Sequence, residues 1–359
     1  MKKIIIKLEN SRYPVIISSD MRAFAKTVAS YKLSKIAVIT NKNIAKHHLR
    51  SLLSVLKKES IRCDVLHVPD GEKYKNIKTV EDICSALLKL KFDRKSGLIS
   101  FGGGVIGDLC GFAASTFMRG IRFFQLPTTL LAQVDASIGG KTGVNLKQGK
   151  NMVGTFYQPE LVWSNTEFLN TLPSKEWLNG FAEVVKYGVI IKKDYFEFLE
   201  KNLKLKMNKK IIDHIVYVSS LCKADVVMRD EKEIKGIREI LNFGHTFGHL
   251  LESYFGYRVV QHGEAVSLGM VFACYIARKK GIFSETNRLI NLLRRVNLPV
   301  VLPKRLVGSR WQEIMYSDKK FQNGIAKFVL PERIGKVRIV SGISKAALQN
   351  IINKMNADI

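Results

Sequence analysis

Three of the chain's seven histidines lie close together, His245 and His249 within the run Asn242 to His249, and His262 just before Gly263 and Glu264. On a helix, His245 and His249 share one face a turn apart. Imidazole suits Zn²⁺, so the pair could seat a metal. Two packed or capping histidines would show the same spacing, and spacing alone leaves both readings open. Thr246 stands where an H-E-x-x-H metalloprotease carries its glutamate, which argues against peptide hydrolysis. Glu183 and Lys186 are three apart among the apolar Phe181, Ala182, Val184 and Val185. A surface ion pair is the common fate of such a pair, but these neighbours favour a cavity.

Gly102, Gly104 and Gly107 match G-x-G-x-x-G, a loop whose backbone N–H groups can approach a pyrophosphate. A tight turn is the competing reading. The loop follows about the third strand rather than the first. The acidic residue expected about 20 positions on is replaced by the run Phe123 to Leu126. The segment Pro127 to Lys141 leads to Gly149, Lys150 and Asn151, and Gly139 and Gly140 with their flanking cations would suit a phosphate loop. The glycine spacing before Lys141 excludes a Walker A motif.

Elements must position these groups. Residues 35–40, 63–68 and 97–101 read as strands, with helical stretches over 44–59 and 79–90 between them and a helix-like run from the glycine loop through Ser115. The alternation predicts a mostly parallel sheet covered on both faces. Beyond about Phe168 helical periodicity takes over, at roughly 175–191, 195–205, 210–226, 240–254 and 265–280. A small hairpin is expected from 326–330 and 336–340 around Pro331 to Gly335.

The 359 residues suggest two domains. The N-terminus has too short an apolar run for a signal peptide, and no stretch is long enough to span a bilayer. Five scattered cysteines without C-x-x-C fit reduced thiols and a cytoplasmic location. The net charge of +27 is spread along the chain, rich in lysine, with no basic tail or arginine block. A compositional bias on solvated faces and attraction of an anionic small substrate explain it better than nucleic acid.

These segments together resemble the 3-dehydroquinate synthase family of the sugar-phosphate cyclases. The resemblance runs from about Thr40 to the closing hairpin. It is most specific at Gly102 to Gly111, Met118 to Gly120, Pro127 to Lys141, Gly149 to Asn151, Glu183 to Lys186, Leu241 to His249, and His262 to Glu264. It implies a Rossmann-like α/β domain over 1–165 that binds NAD, and a mainly helical metal- and substrate-binding domain over 166–359, with the active site in the cleft between. Glu183, His245 and His262 would be the ligands of one divalent metal, Zn²⁺ with Co²⁺ as an alternative, and His249 a catalytic group beside it. Spacing alone would have paired His245 with His249.

The resemblance implies NAD contacts from Asn43, Glu72, Lys75, Gly103, Gly104, Asp108, Thr128, Thr129, Lys141 and Lys150. Phe168, Thr171, Leu172 and Glu176 would join them near the domain junction. Asp135, Lys141, Lys186, Arg238 and Asn242 would serve catalysis with His249. Lys150, Asn151, Lys223 and Lys319 would complete the substrate site, and Arg119 would reach the phosphate of a neighbouring subunit's substrate, hence a homodimer. The implied reaction converts 3-deoxy-D-arabino-heptulosonate 7-phosphate to 3-dehydroquinate, on the shikimate route to aromatic amino acids. It proceeds by transient oxidation at C5, phosphate elimination, re-reduction and intramolecular aldol closure. Neither nucleic acid nor membrane enters as a partner. Asn41 stands where many relatives carry an aspartate, and the stretch from Lys223 to Arg238 is about one residue longer than usual. A polyol dehydrogenase would share NAD and a histidine-rich metal site without needing so many substrate-facing cations.

Overall fold

The computed structural model describes residues 1–256, 259–317 and 326–357. Two compact units emerge, Met1–Pro173 with Ile212–Lys232, and Ser174–Ile211 with Glu233–Ile359. The first is built on a seven-stranded sheet of order β1-β2-β9-β6-β5-β3-β4. Its strands are β1 (Lys2–Lys7), β2 (Arg12–Ile17), β3 (Ile36–Thr40), β4 (Cys63–His67), β5 (Gly97–Gly102), β6 (Arg122–Pro127) and β9 (Leu161–Ser164). Only β1 and β2 pair antiparallel; every other pairing in this sheet is parallel.

β3 and β5 are buried along their whole length, as a strand covered on both faces must be. The two-residue alternation sorts their side chains into two cores. Ala37, Ile39 and Leu98 pack with Val80 and Leu109 on one face. Val38, Ile99 and Phe101 pack with Phe24, Phe124 and Trp163 on the other. The covering helices are α1 (Met21–Ala29), α3 (Arg50–Lys58), α4 (Ile77–Lys89) and α5 (Gly104–Thr116). The short α2 (Lys42–Ile44) runs through a π-helical turn, Ala45–Leu49, into α3.

The three expected strands are present, but four more share their sheet. β6 sits between β5 and β9, although its apolar run reads equally as a helix segment. A separate hairpin, β7 (Lys141–Leu146) with β8 (Gly149–Phe156), carries the lysines of the expected phosphate loop. Gly143 lies opposite Gly154, where an added Cβ would stand 2.0 Å from the Thr142 carbonyl oxygen.

The second unit is mainly helical. It contains α6 (Ser174–Ile190), α7 (Lys193–Asn202), α9 (His245–Tyr254), α10 (His262–Lys279), α11 (Thr286–Arg295), α12 (Arg310–Ser317) and α13 (Lys345–Ala357), with the hairpin β10 (Phe328–Arg333) and β11 (Lys336–Val340). α8 (Lys209–Arg229) contributes its residues from Ile212 onward to the first unit. The helix expected over 240–254 begins only at His245. Ile237–Asn242 forms a 3₁₀ turn, and Gly244 adopts a left-handed conformation, φ 80°, which stops the turn from continuing as an α-helix. α10 begins earlier than expected, because Gln261 and Glu264 form a capping box around its first turn.

Candidate metal centre and anion-facing cations

α6 is buried along most of its length, from Asn179 to Ile190. Glu183 is therefore 1% exposed and Lys186 2% exposed. The Lys186 ammonium pairs with Glu183 Oε2. Among the described residues, nothing donates a hydrogen bond to Glu183 Oε1. It faces His245 Nε2 at 3.4 Å and His262 Nε2 at 3.9 Å. One donor atom from each of Glu183, His245 and His262 lies within 4.8 Å of the others. A buried carboxylate oxygen with no donor is costly to desolvate. A cation among these three groups removes that cost, and one carboxylate with two imidazoles is a donor set that suits Zn²⁺ or Co²⁺. Three protein ligands also leave coordination positions open.

The backbone brings these groups together by close approach. Gly269 of α10 lies against Gly244, where an added Cβ would fall 1.8 Å from the Gly244 carbonyl oxygen. Gly263 packs on α6, its N–H donating to Asn179 Oδ1 at 2.9 Å. His245 Nδ1 lies 3.2 Å from the Phe243 carbonyl oxygen, to which it can donate. His262 Nδ1 lies 3.8 Å from Glu252 Oε1. Burial pulls the His262 imidazole down, but the Glu252 and Glu183 carboxylates outweigh it and hold its pKa above the ordinary value.

The structure thus brings His245 to His262 and Glu183. The His249 ring sits one turn along α9, its centroid 5.6 Å from that of His245. Arg238 and Asn242 lie on the 3₁₀ turn before α9, Arg238 buried and 3.2 Å from Glu233 Oε1. Glu176, in the first turn of α6, accepts from Asn179 Nδ2 at 3.2 Å. Lys319 and its neighbour Lys320 lie outside the described residues.

The first unit gathers most of the remaining groups. Gly103 caps α5 without a side chain, and Gly104 opens the helix. Thr128 donates its N–H to the Gly102 carbonyl at 3.0 Å, and the Thr129 side chain packs beside Gly103. Lys75 is buried and pairs with both Asp108 on α5 and Asn151 on β8. Asn145 joins the same network, donating to Glu72 Oε1 at 2.7 Å and accepting from the Asn151 N–H at 2.8 Å. Burial raises the Asp108 carboxyl, with Lys75 pulling it back down. Asp135 lies in a π-helical turn, Ala132–Ala136, and meets Lys223 of α8 at 2.7 Å. Lys141 opens β7, Lys150 is the second residue of β8, and both are exposed. Asn43 donates to Asp70 Oδ2 at 2.8 Å. Phe168 and Thr171 lie beside His48, Thr171 Oγ1 standing 2.6 Å from its Nε2, and Leu172 follows them half-buried. Arg119 is exposed on a left-handed backbone, φ 67°.

Sequence reasoning missed several of these partners. Glu252 carries a usable signal, since 245, 249 and 252 fall on one helical face. Asp70, which also accepts from Asn41 Nδ2 at 2.8 Å, announces itself only as part of a turn. Asn145 and His48 give no signal in sequence that separates them from other polar residues.

Two family models match the chain, 3-dehydroquinate synthase N-terminal over residues 65–179 and 3-dehydroquinate synthase C-terminal over 180–321. Among curated proteins, the 3-dehydroquinate synthase of Sulfurovum sp. (strain NBC37-1) is 47% identical, covering 91% of this chain and 92% of its own. Among solved structures, the 2-epi-5-epi-valiolone synthase of Streptomyces hygroscopicus subsp. jinggangensis 5008, with NAD⁺ and Zn²⁺ bound, has a TM-score of 0.89 at 23% identity, covering 98% of this chain and 99% of that one. A 2-deoxy-scyllo-inosose synthase complexed with carbaglucose-6-phosphate, NAD⁺ and Co²⁺ gives 0.88 at 23% identity, covering 98% and 100%. At that identity the two structures speak to fold alone.

Proposed function

The chain belongs to the 3-dehydroquinate synthase family, and on that footing we propose that it converts 3-deoxy-D-arabino-heptulosonate 7-phosphate to 3-dehydroquinate and phosphate, using NAD and one divalent metal. The observation that carries this reading is the convergence of Glu183, His245 and His262 around an oxygen that accepts no hydrogen bond. Glu183, His245 and His262 would hold Zn²⁺ or Co²⁺, which would supply Lewis acidity toward substrate hydroxyls, and bound NAD would supply reversible hydride chemistry.

The chain's own residues do the rest. His249, one turn from His245, takes the hydroxyl proton. Lys141, Asn151 and Arg119 hold the phosphate that must leave, while Arg238, Lys223 and Lys186 meet the carboxylate end. The substrate's phosphate oxygens serve as base for the C6 proton, so no further side chain is needed there. Asp135 sets the Lys223 ammonium at 2.7 Å. Asn242, half-buried at the end of its 3₁₀ turn, joins the residues that serve the substrate. Gly103, Gly104, Asp108, Thr128, Thr129, Lys75, Glu72 and Asn43 take the cofactor, with Lys150, Phe168, Thr171, Leu172 and Glu176. Backbone amides at the side-chain-free start of α5 suit its pyrophosphate.

In this reading most nucleotide contacts come from residues within 1–165, with Phe168, Thr171, Leu172 and Glu176 added from 166–359, and the metal is held by residues within 166–359. The exposure of Arg119 favours a homodimer in which it serves the neighbouring subunit's substrate. Scattered free cysteines favour the cytoplasm, and no described helix is long and apolar enough to cross a membrane. The test is direct. Pure protein with the heptulosonate phosphate, NAD⁺ and Zn²⁺ should release phosphate and dehydroquinate in equal amounts while NADH does not accumulate. NADH formed in step with product, without phosphate, would make it a dehydrogenase and overturn the assignment.

A further inference from the structure

We propose that Glu252 is a positioning residue that selects the metal-binding tautomer of His262; the inference rests on the metal reading above. α9 carries His245, His249 and Glu252 along one face. Glu252 is 5% exposed, so its carboxylate faces the His262 imidazole away from bulk water. The two nitrogens of His262 meet different carboxylates. Nδ1 faces Glu252 Oε1 at 3.8 Å, and Nε2 faces Glu183 Oε1 at 3.9 Å.

A neutral imidazole has one N–H and one lone pair. With the proton on Nδ1, directed at Glu252, the lone pair of Nε2 points toward Glu183 and His245. The other tautomer would put an N–H among the three donors and exclude the metal. His245 is settled by the same logic through another partner, since its Nδ1 lies 3.2 Å from the Phe243 carbonyl oxygen, which can only accept. The carbonyl is fixed by the backbone. The Glu252 carboxylate is a side chain, so His262 is the ligand whose tautomer a single substitution can release.

The test uses the full chain as wild type, Glu252→Gln, Glu252→Leu and His262→Ala. Three quantities are read: the Zn²⁺ dissociation constant by competition with a chromophoric chelator, the visible spectrum of the Co²⁺-loaded protein, and thermal unfolding of the metal-free protein. Losing a partner that orients a ligating histidine typically weakens metal binding about 10–100-fold, and Glu252→Leu should fall in that range. Glu252→Gln should lie between it and wild type, because its Oε1 still accepts. The Co²⁺ spectrum should change in both, with metal-free unfolding of the Gln variant close to wild type. Unchanged affinity and an unchanged Co²⁺ spectrum in Glu252→Gln and Glu252→Leu would overturn the proposal. So would weaker binding only in proportion to a loss of metal-free stability. If Glu252→Leu does not fold, Glu252→Gln decides alone. A wild type that binds no metal defeats the metal reading itself. Metal binding that His262→Ala abolishes and both Glu252 variants leave intact defeats only the role of Glu252.

Discussion

Glu183 Oε1 and the Lys75 ammonium are both buried, yet they are prepared in opposite ways. Around Glu183, donor atoms converge and the central oxygen accepts no hydrogen bond, so the arrangement is complete only with a cation. Around Lys75, the ammonium pairs with Asp108 and Asn151, and Asn145 ties Asn151 and Glu72 into the same network. Lys223 is likewise engaged by Asp135. The first leaves Glu183 Oε1 without a donor among the described residues, while Lys186 pairs with the other oxygen. The second is internally satisfied, and an anionic ligand must compete for its cations. A metal should therefore bind the centre on α6, α9 and α10 without rearrangement, whereas phosphate and cofactor binding should depend on partners being exchanged.

The sharpest way to break this contrast is His262→Ala. It should remove bound zinc and catalytic turnover together, checked by elemental analysis and phosphate release; stoichiometric zinc in the variant would mean another ligand set. Next is Lys141→Ala, aimed at the phosphate that leaves. Losing a charge-assisted contact in a desolvated site costs about 2–5 kcal/mol, so turnover should fall roughly 30- to 5,000-fold with zinc retained. Loss of zinc with activity would show that the two centres are not chemically separate.

Lys75→Met tests the satisfied network through pH. Burial holds the Asp108 carboxyl above its ordinary value even with Lys75 present, and removing Lys75 raises it further. A carboxyl raised in the folded state binds more protons folded than unfolded. Its cost is absent below the ordinary carboxylate range and grows as pH rises toward the folded value. With Asp108 partly exposed, the variant should lose about 2–3 kcal/mol near neutral pH and distinctly less near about pH 5. Chemical denaturation at the two pH values measures this; an equal loss at both would mean Asp108 does not carry the effect. The smallest effect is expected from Asn145→Ala, which removes hydrogen bonds to Glu72 and Asn151 at about 1 kcal/mol each, read as a lower denaturation midpoint with metal content unchanged.

The two centres were not equally legible in sequence. β3 and β5 announced themselves because strands buried on both faces leave short, dense apolar runs, and the half-buried edge strand β4 was marked by the turn that ends it. β7 and β8 did not, because their glycines and lysines serve a close backbone approach and an exposed surface rather than a core. Spacing offered His245 and His249 as a pair, since periodicity sees only neighbours on one helix. The structure instead gathers Glu183 from α6, His245 from α9 and His262 from α10, and only the family resemblance pointed there before the fold did. The start of α9 was misread by five residues because 240–244 keeps an apolar helical pattern, and the left-handed Gly244 overrides it. Of the Lys75 network, residues 72, 75, 108 and 151 were named by the resemblance alone, and neither their links nor Asn145 could be read from spacing, because no period joins them.

The contact of Gly244 with Gly269 bears on how this protein can vary over generations. Neither residue has a reactive atom, yet the seat of His245 depends on both lacking a Cβ. In a saturation library screened for growth with the end product withheld, substitutions at these two positions should disappear as thoroughly as those at Glu183, His245 and His262. A map of intolerant positions would then outline the centre together with the two glycines behind it. Ranking residues by intolerance alone would place two hydrogen atoms among the apparent machinery of the reaction.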